Sequence, residues 1–152
     1  MNTEGQLIGH GEDIVHLLLK RQLHIEDRKI KEFPVDGLYR QMPLVNVLHQ
    51  DYIIDLSEEH QKGSIDVFLV FHGIKYAVRI QNGGTTKNKK GGHYGDHKSK
   101  HDSVQKMMME KSGIIVVDVW QHECKNIFKD RDNDASLQEL KDAFYQHLEI
   151  FP

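Results

Sequence analysis

Apolar residues follow two rhythms along this chain. Over residues 3–23, Leu7, Ile8, Ile14, Val15, Leu18 and Leu19 recur at intervals of three and four, which lines them up on one stripe of an α-helix. Thr3 is a candidate cap, with Gln6 three residues on. Gly9 and Gly11 weaken the first half, so the firm part of the helix is expected from about Gly11. Between His24 and Pro43 the rhythm is lost. Polar residues dominate, and Pro34, Gly37 and Pro43 predict loop with a short strand or turn. The stretch "LVNVLHQDYIIDLS" that follows predicts one or two short strands.

The second rhythm is that of strands. "SIDVFLVF" and "IKYAVRIQ" are rich in β-branched and aromatic residues and flank "HG", which predicts a β-hairpin with a two-residue turn. Residues 83–92, "GGTTKNKKGG", have nothing to pack and predict a mobile loop. A helix is expected from about Gly92 to Ser112, ended by Gly113, with Val104, Met107 and Met108 inward and Lys98, Lys100 and Lys111 outward. "IIVVDVW" predicts a buried strand. "KDRDNDAS" predicts a turn, and Asp134 or Ser136 a cap for a last helix, "LQELKDAFYQHLEIF". The order is helix, short extended pieces, hairpin, loop, helix, strand, helix. It predicts an α/β domain spanning residues 1–152, with a mixed sheet built on a central hairpin and helices on both faces.

Composition narrows the setting. No apolar run approaches the roughly 20 residues that span a bilayer, so no membrane partner is expected. "MNTEGQLIGHGED" lacks the charged and apolar regions of a signal peptide. Cys124 is the single cysteine, which excludes an intrachain disulfide and a cysteine zinc site and fits a reducing cytoplasm. Net charge is −3, yet Lys87 to Lys111 holds seven lysines (87, 89, 90, 98, 100, 106 and 111) against Asp96, Asp102 and Glu110. A basic segment in an acidic chain points to a phosphate-bearing partner or to a solvated lysine loop.

Several residues have the chemistry for a site. Strand interiors disfavour Asp, and strict alternation aligns Asp66 with Phe68 and Val70, opposite Ile65 and Val67. Such an Asp is costly unless paired, as by a divalent cation. Otherwise it caps the turn at Gly63–Ser64. Gln81 and Asn82 end the partner strand, where amide oxygens can ligate a hard cation or simply open a turn. His101, Asp102, Gln105 and Lys106 form one polar helical patch, suited to proton transfer and charge compensation or to plain exposure. Glu12, with Asp13 and His16 near it, has the same two readings. His93, His97 and His101 have zinc-ligand spacing, which Gly95 weakens. Phosphate loops, dinucleotide fingerprints and nucleophile elbows are absent from the sequence.

Taken together, the helix with Glu12, the hairpin with Asp66, "AVRIQNGG" and "HDSVQKMMMEKSGIIVVDVWQHE" resemble the PD-(D/E)XK nuclease superfamily. Within it they are most similar to very-short-patch repair endonucleases and to homing endonucleases with an EDxHD motif. Asp102, Gly113, "IIVVDVW", Trp120 and Glu123 match the end of the family pattern, and the resemblance covers roughly residues 10–124. It implies a restriction-endonuclease-like core and a site-specific, homing-type endonuclease acting on double-stranded DNA. The resemblance further implies Mg²⁺ or Mn²⁺ as cofactor and a bacterial, archaeal or phage-encoded intracellular protein. Where typical members have Glu-x-Lys, this chain has Arg79-Ile80-Gln81. Either the site uses the variant set Glu12, Asp66, Gln81, His101 and Asp102, with the lysine's role moved to Lys106 or His101, or the fold persists without catalysis. "KHD" at 100–102 favours the first.

On that reading Asp66, Gln81, Glu12 and Asp102 are the metal ligands, and His101, oriented by Asp102, moves the proton. Lys106 offsets developing charge, and Lys87, Lys89, Lys90, Lys98 and Lys100 follow the DNA backbone. A small nuclease that cuts both strands implies a dimer or tetramer. The alternatives are an inactive DNA-binding domain of the same fold, a junction-resolving nuclease and a metal- or small-molecule-binding α/β protein.

Overall fold

The structure is a computed structural model that describes residues 3–51, 63–81, 103–121, 124–129 and 134–151. Helix α1 (Thr3–Leu23) carries Ile14, Val15, Leu18, Leu19 and Leu23 on its buried stripe, as the spacing predicts. Lys20 and Arg21 sit in its last turn, where the helix dipole favours cations. It stops at His24, which takes a left-handed φ of 53°.

Strand β1 (Gly37–Pro43) begins beside residues 26–28. Leu38 N–H donates to Glu26 O at 2.9 Å and Arg28 N–H donates to Leu38 O at 2.8 Å. Helix α2 (Leu44–Val47) follows, burying Leu44 and Val47. This corrects the first of the one or two strands expected over 44–57: the apolar run turns at once into a helical step off the end of β1, and residues 52–57 lie outside the described residues. Strands β2 (Ser64–Phe71) and β3 (Ile74–Gln81) form the expected hairpin. His72 and Gly73 both have positive φ, as the two-residue turn requires. Asp36 fixes that turn by accepting from His72 N–H at 2.9 Å and Gly73 N–H at 3.1 Å.

Helix α3 (103–111) ends in a Schellman motif. Ile114 N–H reaches Met109 O and Gly113 N–H reaches Glu110 O, both at 3.0 Å, with φ of 84° at Gly113. Met109 and Ile114 are buried there, with Val104 and Met108 packed alongside. Met107, expected inward, is 42% exposed because the packed stripe of α3 runs through Val104, Met108 and Met109. Strand β4 (Ile115–Trp120), helix α4 (Lys125–Lys129) and helix α5 (Asp134–Ala143) complete the described elements. Ser136 is buried inside α5, so it does not cap it. Glu139 instead caps α4 from across the interface, accepting from Asn126 N–H at 3.1 Å and Ile127 N–H at 2.9 Å.

The sheet runs β1-β2-β3-β4, antiparallel except for the parallel pair β3/β4. It is a mixed sheet in an α/β fold, flanked by helices. One face buries Val67, Leu69, Val78, Val117 and Val119 against residues of α1, α4 and α5. The other buries Phe68, Val70 and Ala77 against Tyr39, Met42 and residues of α2 and α3. Among the described residues no helix is long and apolar enough to cross a membrane.

Candidate active site

The alternation of β1 and β2 breaks at one level of the sheet. Tyr39 and Met42, three residues apart, lie in the same cluster, and so do Phe68 and Ile65. The register pairs Arg40 with Val67 and Met42 with Ile65, so the residues between them, Gln41 and Asp66, face each other across the ladder. Gln41 has a φ of 55°, a left-handed conformation that turns the strand and shifts its phase. The expected placement of Asp66 with Phe68 and Val70 is thereby corrected. Ile65 takes the place on that face, and Asp66 joins polar neighbours.

Those neighbours form a network. Arg40 donates to Glu12 Oε2 from Nε at 2.8 Å, and its Nη2 lies 2.8 Å from both Glu12 Oε2 and Asp13 Oδ1. Gln41 Nε2 is 3.2 Å from each Glu12 oxygen, and the Gln41 side chain favours the ionised form of Asp66. Ser64 Oγ donates to Gln41 Oε1 at 2.6 Å, which fixes the amide's orientation. Ile80 N–H donates to Asp66 Oδ2 at 3.0 Å, so the carboxylate replaces a ladder bond where the β2/β3 pairing ends at Val67 and Val78.

Burial raises the Asp66 carboxyl above the usual carboxylate range. The Ile80 N–H opposes this, the charge of Glu12 adds to it, and Gln41 and Arg40 oppose it. Glu12 and Asp66, 54 positions apart in the chain by their numbers, are therefore brought within electrostatic reach.

A second cluster lies on the α3 face. Arg79 and Asp118 are register partners in β3/β4. Arg79 donates to Asp118 Oδ1 from Nε at 2.8 Å and to Oδ2 from Nη2 at 3.2 Å, with both side chains 15% exposed. Gln81 Nε2 donates to the same Oδ1 at 3.1 Å, and Lys106 Nζ is 3.9 Å from Oδ2. Of the residues expected in one site, Glu12 and Asp66 meet in the first cluster, and Gln81 and Lys106 meet at Asp118 in the second. His101, Asp102, Lys87, Lys89, Lys90, Lys98 and Lys100 lie outside the described residues, as do His93, His97 and Glu123. Gln105 is described, with its amide beside Gly63 at the start of β2.

Arg40, Gln41 and Asp118 are additions that the sequence reading did not single out. Their signal was present: "RQ" is an adjacent polar pair between buried Tyr39 and Met42, and Asp118 is an acid within an apolar strand. Further along α1, His16 and Lys20 both bond Asp27. Burial alone would raise the Asp27 carboxyl, but those two partners outweigh it and hold the carboxyl below its ordinary value.

Among the described residues no three His, Cys, Asp or Glu side chains converge as a metal-ligand set. Mg²⁺ needs only one or two carboxylates, since it keeps several waters and takes further oxygens from phosphate. Glu12 and Asp66 are two such carboxylates, and they share Arg40 as counter-charge. Comparison with protein-family models, with curated proteins and with solved structures gave no match.

Proposed function

We propose that the chain is a Mg²⁺- or Mn²⁺-dependent endonuclease that hydrolyses phosphodiester bonds in double-stranded DNA, site-specific and of the homing type. The observation that carries this reading is the meeting of Glu12 and the half-buried Asp66, whose carboxyl is raised by burial, at the level where the sheet's alternation breaks. Perturbed carboxylates and left-handed non-glycine backbone concentrate at functional sites. The resemblance of Glu12, Asp66 and "HD" at 101–102 to nuclease motifs supplies the reaction class.

In this reading Glu12 and Asp66 hold the cation, with Asp102 as a further ligand, while Gln81, expected as an amide ligand, donates to Asp118 in the other cluster. Bound there, the cation supplies Lewis-acid polarisation of the phosphate and a more acidic water. Gln41 holds the Glu12 carboxylate through its amide. His101, oriented by Asp102, takes a proton from the attacking water or gives one to the leaving oxygen. Water oxygen bonds phosphorus as the P–O bond to the leaving nucleoside breaks. Lys106 adds positive charge, and Lys87, Lys89, Lys90, Lys98 and Lys100 follow the phosphate backbone.

One observation favours a second reading, a DNA-binding domain of the same fold without cleavage: Arg40 already neutralises part of Glu12. The deciding experiment incubates supercoiled plasmid and genomic DNA with the protein and millimolar Mg²⁺. Discrete products are expected from the wild type and none from Asp66→Ala or His101→Ala. Cleavage that survives both substitutions would overturn the reading, and duplex binding without cleavage in any divalent cation would establish the second.

A further inference from the structure

We propose that the contact between His16 of α1 and Asp27, just ahead of β1, is a proton-responsive clasp. It fastens α1 to the start of the sheet more tightly in mildly acidic than in mildly alkaline solution. The clasp belongs to the scaffold beneath Glu12 and does not depend on the nuclease reading.

Its placement gives it leverage. The backbone of residues 26–28 is tied to β1: Asp27 bridges Leu38, Leu38 N–H donates to Glu26 O, and Arg28 N–H donates to Leu38 O. The Asp27 side chain reaches α1. His16 Nε2 holds its Oδ1, and Lys20 Nζ holds its Oδ2 at 2.8 Å. His16 and Lys20, one turn apart, share a face of the helix. Another turn back, Glu12 and Asp13 are held by Arg40 of β1. Among the described residues, polar links thus join α1 to β1 and its lead-in at two levels, and a histidine takes part at one of them.

The chemistry of the contact makes it respond to protons. An ionised carboxylate only accepts, so Nε2 carries a proton when it bonds Asp27. The ring is then either neutral, with Nδ1 bare, or an imidazolium. The neutral ring makes an ordinary hydrogen bond, and the imidazolium a charge-assisted one roughly twice as strong. Histidine is the side chain type that changes charge between about pH 5 and 8, where lysine and arginine keep theirs. Asp27 stays ionised through that window. Burial alone would raise its carboxyl, but Lys20 and His16 outweigh burial and hold it below its ordinary value. The stability it contributes is therefore present above the ordinary carboxylate range and is lost only as pH falls through the lowered value. The clasp is tightest between these two titrations.

The charged groups around the ring are few. Glu12, Asp13 and Lys20 share its side of α1, with Arg40 of β1 on the two acids. Glu26 and Arg28 flank Asp27, and Arg28 Nε turns to Asp36 O at 2.9 Å. Strand β2 and helix α4 meet α1 through apolar residues, among them Val67, Leu69 and Ile127. The His16 side chain is 16% exposed and that of Asp27 is 51% exposed, so solvent screens the pair from one side and keeps its effect modest.

A double-mutant cycle on the full chain tests the clasp. His16→Gln keeps a neutral donor, and Asp27→Asn removes the carboxylate charge. Denaturant unfolding of wild type, the two single variants and the double variant gives the coupling between the side chains. Expressed as a factor in the folding equilibrium, that coupling should be about threefold larger at about pH 6 than at about pH 8.5. The matching cycle of Lys20→Gln with Asp27→Asn should show no such change, since lysine is charged at both. A His16–Asp27 coupling that is equal at the two pH values, or absent from both, overturns the clasp. So does an equal change in the Lys20 cycle, because the response would then belong to Asp27 and not to His16. If circular dichroism finds a variant unfolded, ¹⁵N NMR of the wild-type imidazole reads the same contact. A proton on Nε2 at about pH 8.5 and on both ring nitrogens at about pH 6 is expected. A bare Nε2 at the higher pH, or a ring unchanged between the two, overturns the proposal.

Discussion

Gln41 combines a backbone conformation that favours glycine with a side chain that glycine lacks. Its φ of 55° costs a non-glycine residue roughly 1 kcal/mol, yet its amide joins Ser64 and Glu12. Gln41→Gly and Gln41→Ala both lose the amide, but only glycine relieves the backbone. Denaturant unfolding should therefore find the Ala variant less stable than the Gly variant by about 1 kcal/mol. Equal stability would mean that the left-handed turn stores no strain. Asp66 gives a pH prediction of definite sign. Burial first, and then the charge of Glu12, raise its carboxyl, so the folded chain holds this proton more readily than the unfolded chain. The stability owed to the group is complete below the ordinary carboxylate range, near pH 4, and falls as pH rises through the elevated folded value. Without metal, Asp66→Asn should melt above wild type at pH 7, and that advantage should shrink towards pH 4. An advantage independent of pH would mean that Asp66 does not titrate in that window.

At the scale of elements, β1 depends on how closely its first residue meets residues 26–28. A Cβ on Gly37 would lie 2.3 Å from Arg28 Cγ and 2.7 Å from Glu26 O, at a φ of 152°. The Arg28 side chain can give way, but the Glu26 carbonyl accepts from Leu38 N–H and cannot move without breaking that bond. Gly37→Ala should cost about 2 kcal/mol in denaturant unfolding, and a cost below about 0.5 would show that residues 26–28 are not fixed to β1. This part of the fold was hard to read because its information is non-local. Helix α1, the β2/β3 hairpin, the end of α3 at Gly113 and strand β4 follow from periodicity and turn chemistry within a few residues. The Arg40–Glu12 pair spans 28 positions, and a left-handed glutamine in mid-strand has no local pattern. That one residue shifts the alternation of β1 and, through pairing, of β2. Asp66 was therefore legible as an anomalous strand acid, while its neighbours were not. At residues 44–47 the expected strand gives way to a helix for a related reason: "LVNV" is apolar enough for either element, and its place in the cluster with Phe68 and Val70 decides for helix.

For the whole molecule, the proposed function sets a chain of net charge −3 against a polyanion. Long-range attraction must then come from an asymmetric distribution of charge and not from its total. The sequence concentrates seven lysines between Lys87 and Lys111, while Glu12 and Asp13 pair with Arg40 and Asp66 lies within its field. In the proposed reading the lysines serve duplex binding and the carboxylates serve cleavage, which makes the two separable by experiment. Each lysine that neutralises a phosphate releases counterions and adds about 0.9 to the slope of log affinity against log salt. Replacing Lys87, Lys89 and Lys90 together by Gln should weaken duplex binding and flatten that slope by up to about 2.7, in proportion to the number that touch phosphate. Fluorescence anisotropy across a salt series, without divalent cation, measures this directly. A variant with lower affinity but an unchanged slope would have lost something other than phosphate contacts. A variant with both unchanged would remove these lysines from the interface and leave Lys98, Lys100 and Lys106 as the basic residues to test next.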